Sequence, residues 1–202
     1  IEADMQTQLY GHLIDADLAQ LQRENPASLT QRELDELSRQ YRIADVLPLT
    51  PLQQGLLFHA NATIGDDHDD LYAMQLDVTV TGPLDPHRLR EAVHTVVNRH
   101  PHLVARFSQR FDEPVQIIPA DPSVPWQYLE MASGDPEDPQ QIQQLCAAER
   151  AAVCDVVHQP TFRAALIRTA DNEHRFVMTY HHIVLDGWSL PILLQEIFAS
   201  YY

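Results

Sequence analysis

Near the C-terminal end of the chain the spacing of apolar positions switches from the period of a strand to that of a helix. Arg175-Phe176-Val177-Met178-Thr179-Tyr180 is rich in β-branched and aromatic residues, which predicts a strand with side chains on alternating faces. Phe176, Met178, Tyr180 and His182 then share one face, and Val177, Thr179 and His181 the other. Beyond the junction, Ile192, Leu193, Ile197, Phe198 and Tyr201 recur at helical spacing, with Ser189 available as a cap and Pro191 in the first turn. Two adjacent histidines therefore fall where a strand gives way to a helix, and they look into different environments.

The same reading carries through the rest of the chain. Leu9, Leu13, Leu18 and Leu21 suggest a loosely amphipathic helix broken by Glu24-Asn25-Pro26. Thr30-Gln31-Arg32-Glu33 is a capping box that opens a second helix through Leu34 and Leu37. This polar N-terminal stretch reads as an interdomain linker or as a helical hairpin packed on the core. Thr50-Pro51-Leu52-Gln53 is another capping box, predicting a helix from Pro51 to about Asn61. Asp66-Asp67-His68-Asp69-Asp70 is expected to be a solvated loop. Leu71 to Thr81 alternates as a strand ended by Gly82-Pro83. Asp85-Pro86 caps a helix whose Leu89, Ala92, Val93, Val96 and Val97 form one apolar stripe, ending near Arg99. Val104 to Ser108 and Val115 to Ile118 are expected to form a hairpin. A loop at Gly134 to Pro139, a helix from Gln140 to about Val157 and a strand from Thr161 to Thr169 follow, with a turn at Ala170-Asp171-Asn172-Glu173. The fold class is α/β (mixed α+β), with antiparallel hairpins and long intervening helices and no internal repeat.

A chain of 202 residues is one domain or at most two, large enough to bury roughly 70% of its unfolded surface. Lys plus Arg number 13 against 29 Asp plus Glu, a net charge of −16 that repels phosphate backbones and anionic lipid, so neither nucleic acid nor membrane is an expected partner. No apolar run approaches the ~20 residues needed to cross a bilayer, and the first residues lack a secretory pattern. The chain starts at Ile1 without methionine and is expected to be a piece of something longer. Cys146 and Cys154 fall on one helix about 12 Å apart, too far to bridge, and are read as thiols in a reducing cytoplasm.

The junction itself carries the chemistry. His181-His182-Ile183-Val184-Leu185-Asp186-Gly187 resembles the signature of condensation domains in non-ribosomal peptide synthetases, part of a larger acyltransferase group that includes chloramphenicol acetyltransferase. Leu47 to His59 is similar to that family's opening motif and Arg99-His100-Pro101-His102-Leu103 to its second. All three occur in the family's order, and the resemblance covers roughly residues 41 to 202. It implies a chloramphenicol acetyltransferase-like lobe, a mostly antiparallel mixed sheet flanked by helices. Residues 1–40 would then be an interdomain linker and 41–202 the N-terminal lobe, without the C-terminal lobe that forms the other wall of the family's tunnel.

The implied reaction is amide bond formation between a donor acyl or peptidyl thioester and an acceptor aminoacyl thioester. Both travel on 4'-phosphopantetheine arms of carrier protein domains, so the implied partners are donor and acceptor carriers and adjacent synthetase domains, with no cofactor bound directly. The resemblance makes His182 catalytic, either as general base toward the acceptor amine or as a residue that positions it. His181 is structural in this reading, and Asp186 is held by an arginine that keeps the loop in shape. The family commonly has arginine directly after the leucine of its second motif, whereas this chain has Val104, which leaves Arg99 and Arg106 as candidate partners. Gly187 would permit an unusual backbone angle or close approach of substrate, and its amide could stabilise an oxyanion; a plain turn glycine is the competing reading. Trp188 and Ser189 are candidates to line the tunnel. Asp186 four residues after His182 lacks a third ligand at metal spacing, so no metal is expected. Rival readings are an epimerisation domain, a non-catalytic relative that recruits a partner, and an acyltransferase using soluble coenzyme A. The segment Pro51 to His59 is closer to condensation domains, particularly those accepting a D-configured donor residue.

Overall fold

The protein is described by a computed structural model over residues 29–62, 71–131 and 139–202. In chain order the elements are α1 (Gln31–Gln40), β1 (Ile43–Pro48), α2 (Pro51–Ala62), β2 (Ala73–Thr81), α3 (Pro86–Arg99), a 3-10 turn (Pro101–Val104), β3 (Arg106–Ser108), β4 (Val115–Pro119), β5 (Trp126–Glu130), α4 (Pro139–Cys154), β6 (Phe162–Ala170), β7 (Glu173–His181) and α5 (Ser189–Tyr201). The expected helix around Leu9 to Leu21, the break at Pro26, the acidic stretch Asp66 to Asp70 and most of the Gly134 to Pro139 loop lie outside the described residues.

The larger sheet has the order β2-β7-β6-β5. Strand β7 pairs antiparallel with β2 and β6, and β5 joins β6 in parallel. Helices cover both faces of its centre, so β7 is buried on both sides instead of alternating, whereas β2 at the edge alternates. On one face Phe176, Met178 and Tyr180 pack against Leu89, Val93, Val96 and Val97 of α3 and Leu193 and Ile197 of α5. On the other, Val177, Ala165 and Ile167 pack against Ile142 of α4. The apolar stripe of α3 is thus core, and Asp85 caps its N-terminus by accepting from His87 and Arg88 N–H at 2.9 and 3.2 Å. Gly82, which ends β2, has φ of 109° and donates to Asn172 O at 2.8 Å, a left-handed backbone that favours glycine.

The smaller sheet, β1-β4-β3, is antiparallel throughout. The hairpin β3–β4 forms in the expected place, but its third strand β1 has no clear alternation and its burial depends on partners far along the chain. The expected strand start at Val104 is instead the end of the 3-10 turn, and the helix expected to reach Val157 stops at Cys154. Asp155 then receives His158 N–H at 3.0 Å and turns the chain. Helix α2 covers one face through Leu56, Leu57 and Ala60. Helix α1 sets Leu37 against Val115 and Ile117 on the other face. Both expected capping boxes form: Thr30 N donates to Glu33 Oε2 at 2.7 Å, and Thr50 N donates to Gln53 Oε1 at 3.0 Å.

Candidate functional site

Residues 182–185 form the turn between β7 and α5, and their side chains stitch two cores together. Ile183 is buried with Leu57, Phe107 and Ile118 beneath α2, while Leu185 is buried with Tyr180, Leu193 and Ile197 of the larger sheet. The three apolar residues between His182 and Asp186 therefore act as an anchor that places His182 at the seam between the two sheets. Its backbone is held as well: His182 N donates to Tyr72 O at 2.9 Å and Val184 N to His181 O at 3.1 Å.

The two histidines separate as the alternation requires. His181 is fully buried against Tyr72, with ring centroids 6.4 Å apart, and its Nδ1 accepts the Ile183 N–H at 3.1 Å. Because that backbone group can only donate, the hydrogen of neutral His181 resides on Nε2. His182 is half-buried, edge-on to Tyr180 at 6.1 Å, with its Nδ1 3.0 Å from Leu185 O. A carbonyl can only accept, so Nδ1 of His182 carries the hydrogen and, in the neutral ring, Nε2 holds the lone pair. Burial pushes the Tyr180 hydroxyl above its ordinary pKa, with the charge of Asp186 adding to the effect, so Tyr180 stays a neutral packing partner.

Among the described residues, no arginine pairs with Asp186. Arg99 donates to Glu196 Oε2 at 2.8 Å, and Arg106 donates through Nε to His158 O at 3.3 Å and stacks on Tyr41. Val104, where the resemblance places arginine, is 2% exposed in the core beside Leu103 and Tyr180, surroundings that suit a small apolar side chain. Asp186 is instead exposed to solvent, which removes the penalty that would demand a countercharge, and its Oδ1 accepts the Ser189 N–H at 2.7 Å. This corrects the expected cap too: Ser189 is the first residue of α5, and Asp186 satisfies the helix's free amide in its place.

Gly187 does not adopt a left-handed angle, since Gly82 is the glycine with positive φ among the described residues. A Cβ at Gly187 would meet nothing within 4 Å, so the expectation of an unusual backbone angle fails while the position faces open space. Trp188 is 88% exposed and Ser189 half-buried. Gln53, read in the sequence as part of a capping box and of the opening motif, also belongs to the site. Its Nε2 donates to Gln116 Oε1 at 3.0 Å and to Ile183 O at 3.2 Å, joining α2 and β4 to the histidine turn. A glutamine inside the apolar run Val115-Gln116-Ile117-Ile118 was the available signal. Among the described residues no group of His, Cys, Asp or Glu could hold a metal ion.

Fold and site define a class. Two helix-covered sheets form the chloramphenicol acetyltransferase-like fold, and solved condensation-domain structures share that fold. The starter condensation domain of rhizomide synthetase aligns with a TM-score of 0.64 at 22% identity, over 78% of this chain and 39% of that one. The epimerization domain from the third module of tyrocidine synthetase B aligns with a TM-score of 0.64 at 23% identity, over 77% of this chain and 34% of that one. The condensation-domain family model matches residues 43–202, and bacitracin synthase 3 of Bacillus licheniformis is 34% identical over 160 residues, 79% of this chain and 2% of that protein. The chain belongs to the condensation-domain family of non-ribosomal peptide synthetases. It spans between 2% and 7% of the length of curated relatives it matches.

Proposed function

We propose that this chain supplies the catalytic histidine for amide bond formation between two carrier-bound thioesters. The observation that carries the reading is the Nδ1 contact of His182 with Leu185 O, which fixes the tautomer and makes Nε2 the basic atom. In the reaction the acceptor amine attacks the donor thioester carbonyl, forming the C–N bond. His182 Nε2 takes the proton that the amine sheds, a role worth typically ~10²–10⁴-fold. Collapse of the tetrahedral intermediate breaks the C–S bond, and the departing sulfur of the donor arm takes up a proton. Burial of His181 and its contact with Ile183 support a structural role for that residue.

The chain in this reading is the N-terminal lobe, residues 41–202, with 1–40 as an interdomain linker or helical N-terminal segment whose helix α1 packs on the smaller sheet through Leu37. Its partners are donor and acceptor carrier domains, whose 4'-phosphopantetheine arms bring the substrates, and adjacent synthetase domains of one cytoplasmic polypeptide. Trp188 and Ser189 border the path of an arm, and Gly187 leaves room beside it. The segment Pro51 to His59 favours a donor with a D-configured terminal residue. The test is product formation by the full synthetase with loaded carriers, comparing wild type with His182→Ala. Loss of dipeptidyl product in a folded variant is expected. Exchange of an α-proton without amide formation assigns the epimerisation reading instead, and unchanged product formation by His182→Ala removes the histidine from catalysis. The 202-residue chain alone is expected to show little or no turnover.

A further inference from the structure

We propose that Gln53 is a positioning residue for the reaction, holding the carbonyl of Ile183 and thereby the direction in which His182 presents its imidazole. This rests on the reading of His182 given above. Gln53 stands in the first turn of α2, where its Oε1 accepts from Thr50 N at 3.0 Å and from Thr50 Oγ1 at 3.2 Å. That leaves both hydrogens of Nε2 for Gln116 Oε1 and Ile183 O. The amide orientation is therefore determined: a flipped group would set its oxygen against the Ile183 carbonyl and its nitrogen against the Thr50 N–H.

The consequence lies one residue away from the imidazole. Ile183 N–H is held by His181 Nδ1 and Ile183 C=O by Gln53, while the N–H of His182 itself is held by Tyr72 O. The backbone is thus pinned on both sides of His182. Gln116 is 6% exposed, so the second leg of the bridge is rooted in the core of the smaller sheet. A bridge of this kind fixes the seam between two packed layers where a small shift would move the base, and displacements near 1 Å cost up to about 100-fold in rate. Gln53 contributes through His182, without touching substrate.

Gln53→Glu separates this role from helix capping. The carboxylate keeps the carbon skeleton and still accepts from Thr50, but it offers Ile183 O no hydrogen. In the full synthetase with both carriers loaded, Gln53→Glu is expected to lower kcat about tenfold, with KM for the loaded acceptor carrier within about twofold of wild type. Its thermal unfolding midpoint is expected to fall by several degrees, because Ile183 O and Gln116 Oε1 lose their donor, while the variant stays folded at the assay temperature. Unchanged kcat in a folded Gln53→Glu overturns the proposal, and so does a raised KM at unchanged kcat, which would place Gln53 in substrate binding. Should Gln53→Glu not fold, Gln53→Met carries the same kcat expectation and refutation, read against Thr50→Ala, which weakens the same cap and leaves the Ile183 contact in place. His182→Ala is assayed in parallel: wild-type turnover there removes the underlying reading, whereas loss there beside normal Gln53→Glu removes only the positioning role.

Discussion

Asp186 offers a test of whether the loop is held by a cap or by an ion pair. In the structure its carboxylate accepts one backbone hydrogen bond, from Ser189 N–H at 2.7 Å, and lies in solvent at the N-terminus of α5. Asp186→Ala removes that acceptor, a loss of about 1 kcal/mol, plus a favourable charge at the positive end of the helix dipole worth about 0.3–1 kcal/mol. Asp186→Asn keeps an oxygen in place and forfeits only the second contribution. Each 1 kcal/mol corresponds to roughly 2–4 °C in a domain of this size, so Asp186→Ala should melt about 3–8 °C low and Asp186→Asn within about 4 °C of wild type. Hydrogen exchange of the Ser189 amide gives the local reading, with protection falling about fivefold in Asp186→Ala and little in Asp186→Asn. A buried carboxylate paired to arginine predicts the opposite pattern, with both substitutions failing alike by about 3–5 kcal/mol. Equal damage from Asn and Ala would refute the capping account.

Glu149 is 2% exposed and accepts from Arg163 Nε at 2.8 Å and Gln127 Nε2 at 2.6 Å, so Glu149→Ala should cost about 3–5 kcal/mol in urea unfolding while Glu149→Leu combined with Arg163→Met recovers most of it. Ile197 is fully buried between α3, α5 and the larger sheet, and Ile197→Ala should lower the unfolding free energy by about 2–5 kcal/mol with the m-value unchanged. Burial, with help from Arg168, holds the buried His174 imidazole below its ordinary pKa of 6.5. The unfolded chain then binds the extra proton, so stability contributed by neutral His174 is present above about pH 6.5 and falls as pH drops through and below it; His174→Phe should flatten that acid limb in unfolding titrations.

Local signals along the chain determined much of what was found. Capping boxes at Thr30 and Thr50, the Asp85-Pro86 start and the stripe from Leu89 to Val97 place helices because end groups and side-chain spacing act within a few residues. The period of two along β7 turns His181 toward Tyr72 and away from Tyr180, on which His182 packs from the turn, and the three motifs carry the family's signature within the sequence itself. What the tertiary structure alone decided is long-range. Strands β1 and β5 exist through pairing with β4 and β6. The partner of Asp186 depends on where Arg99, Arg106 and α5 come to rest, and solvent at that turn makes a backbone amide sufficient. Gln53 reaches Ile183 across 130 positions of sequence, a contact that exists only because two separately packed sheets meet at one turn.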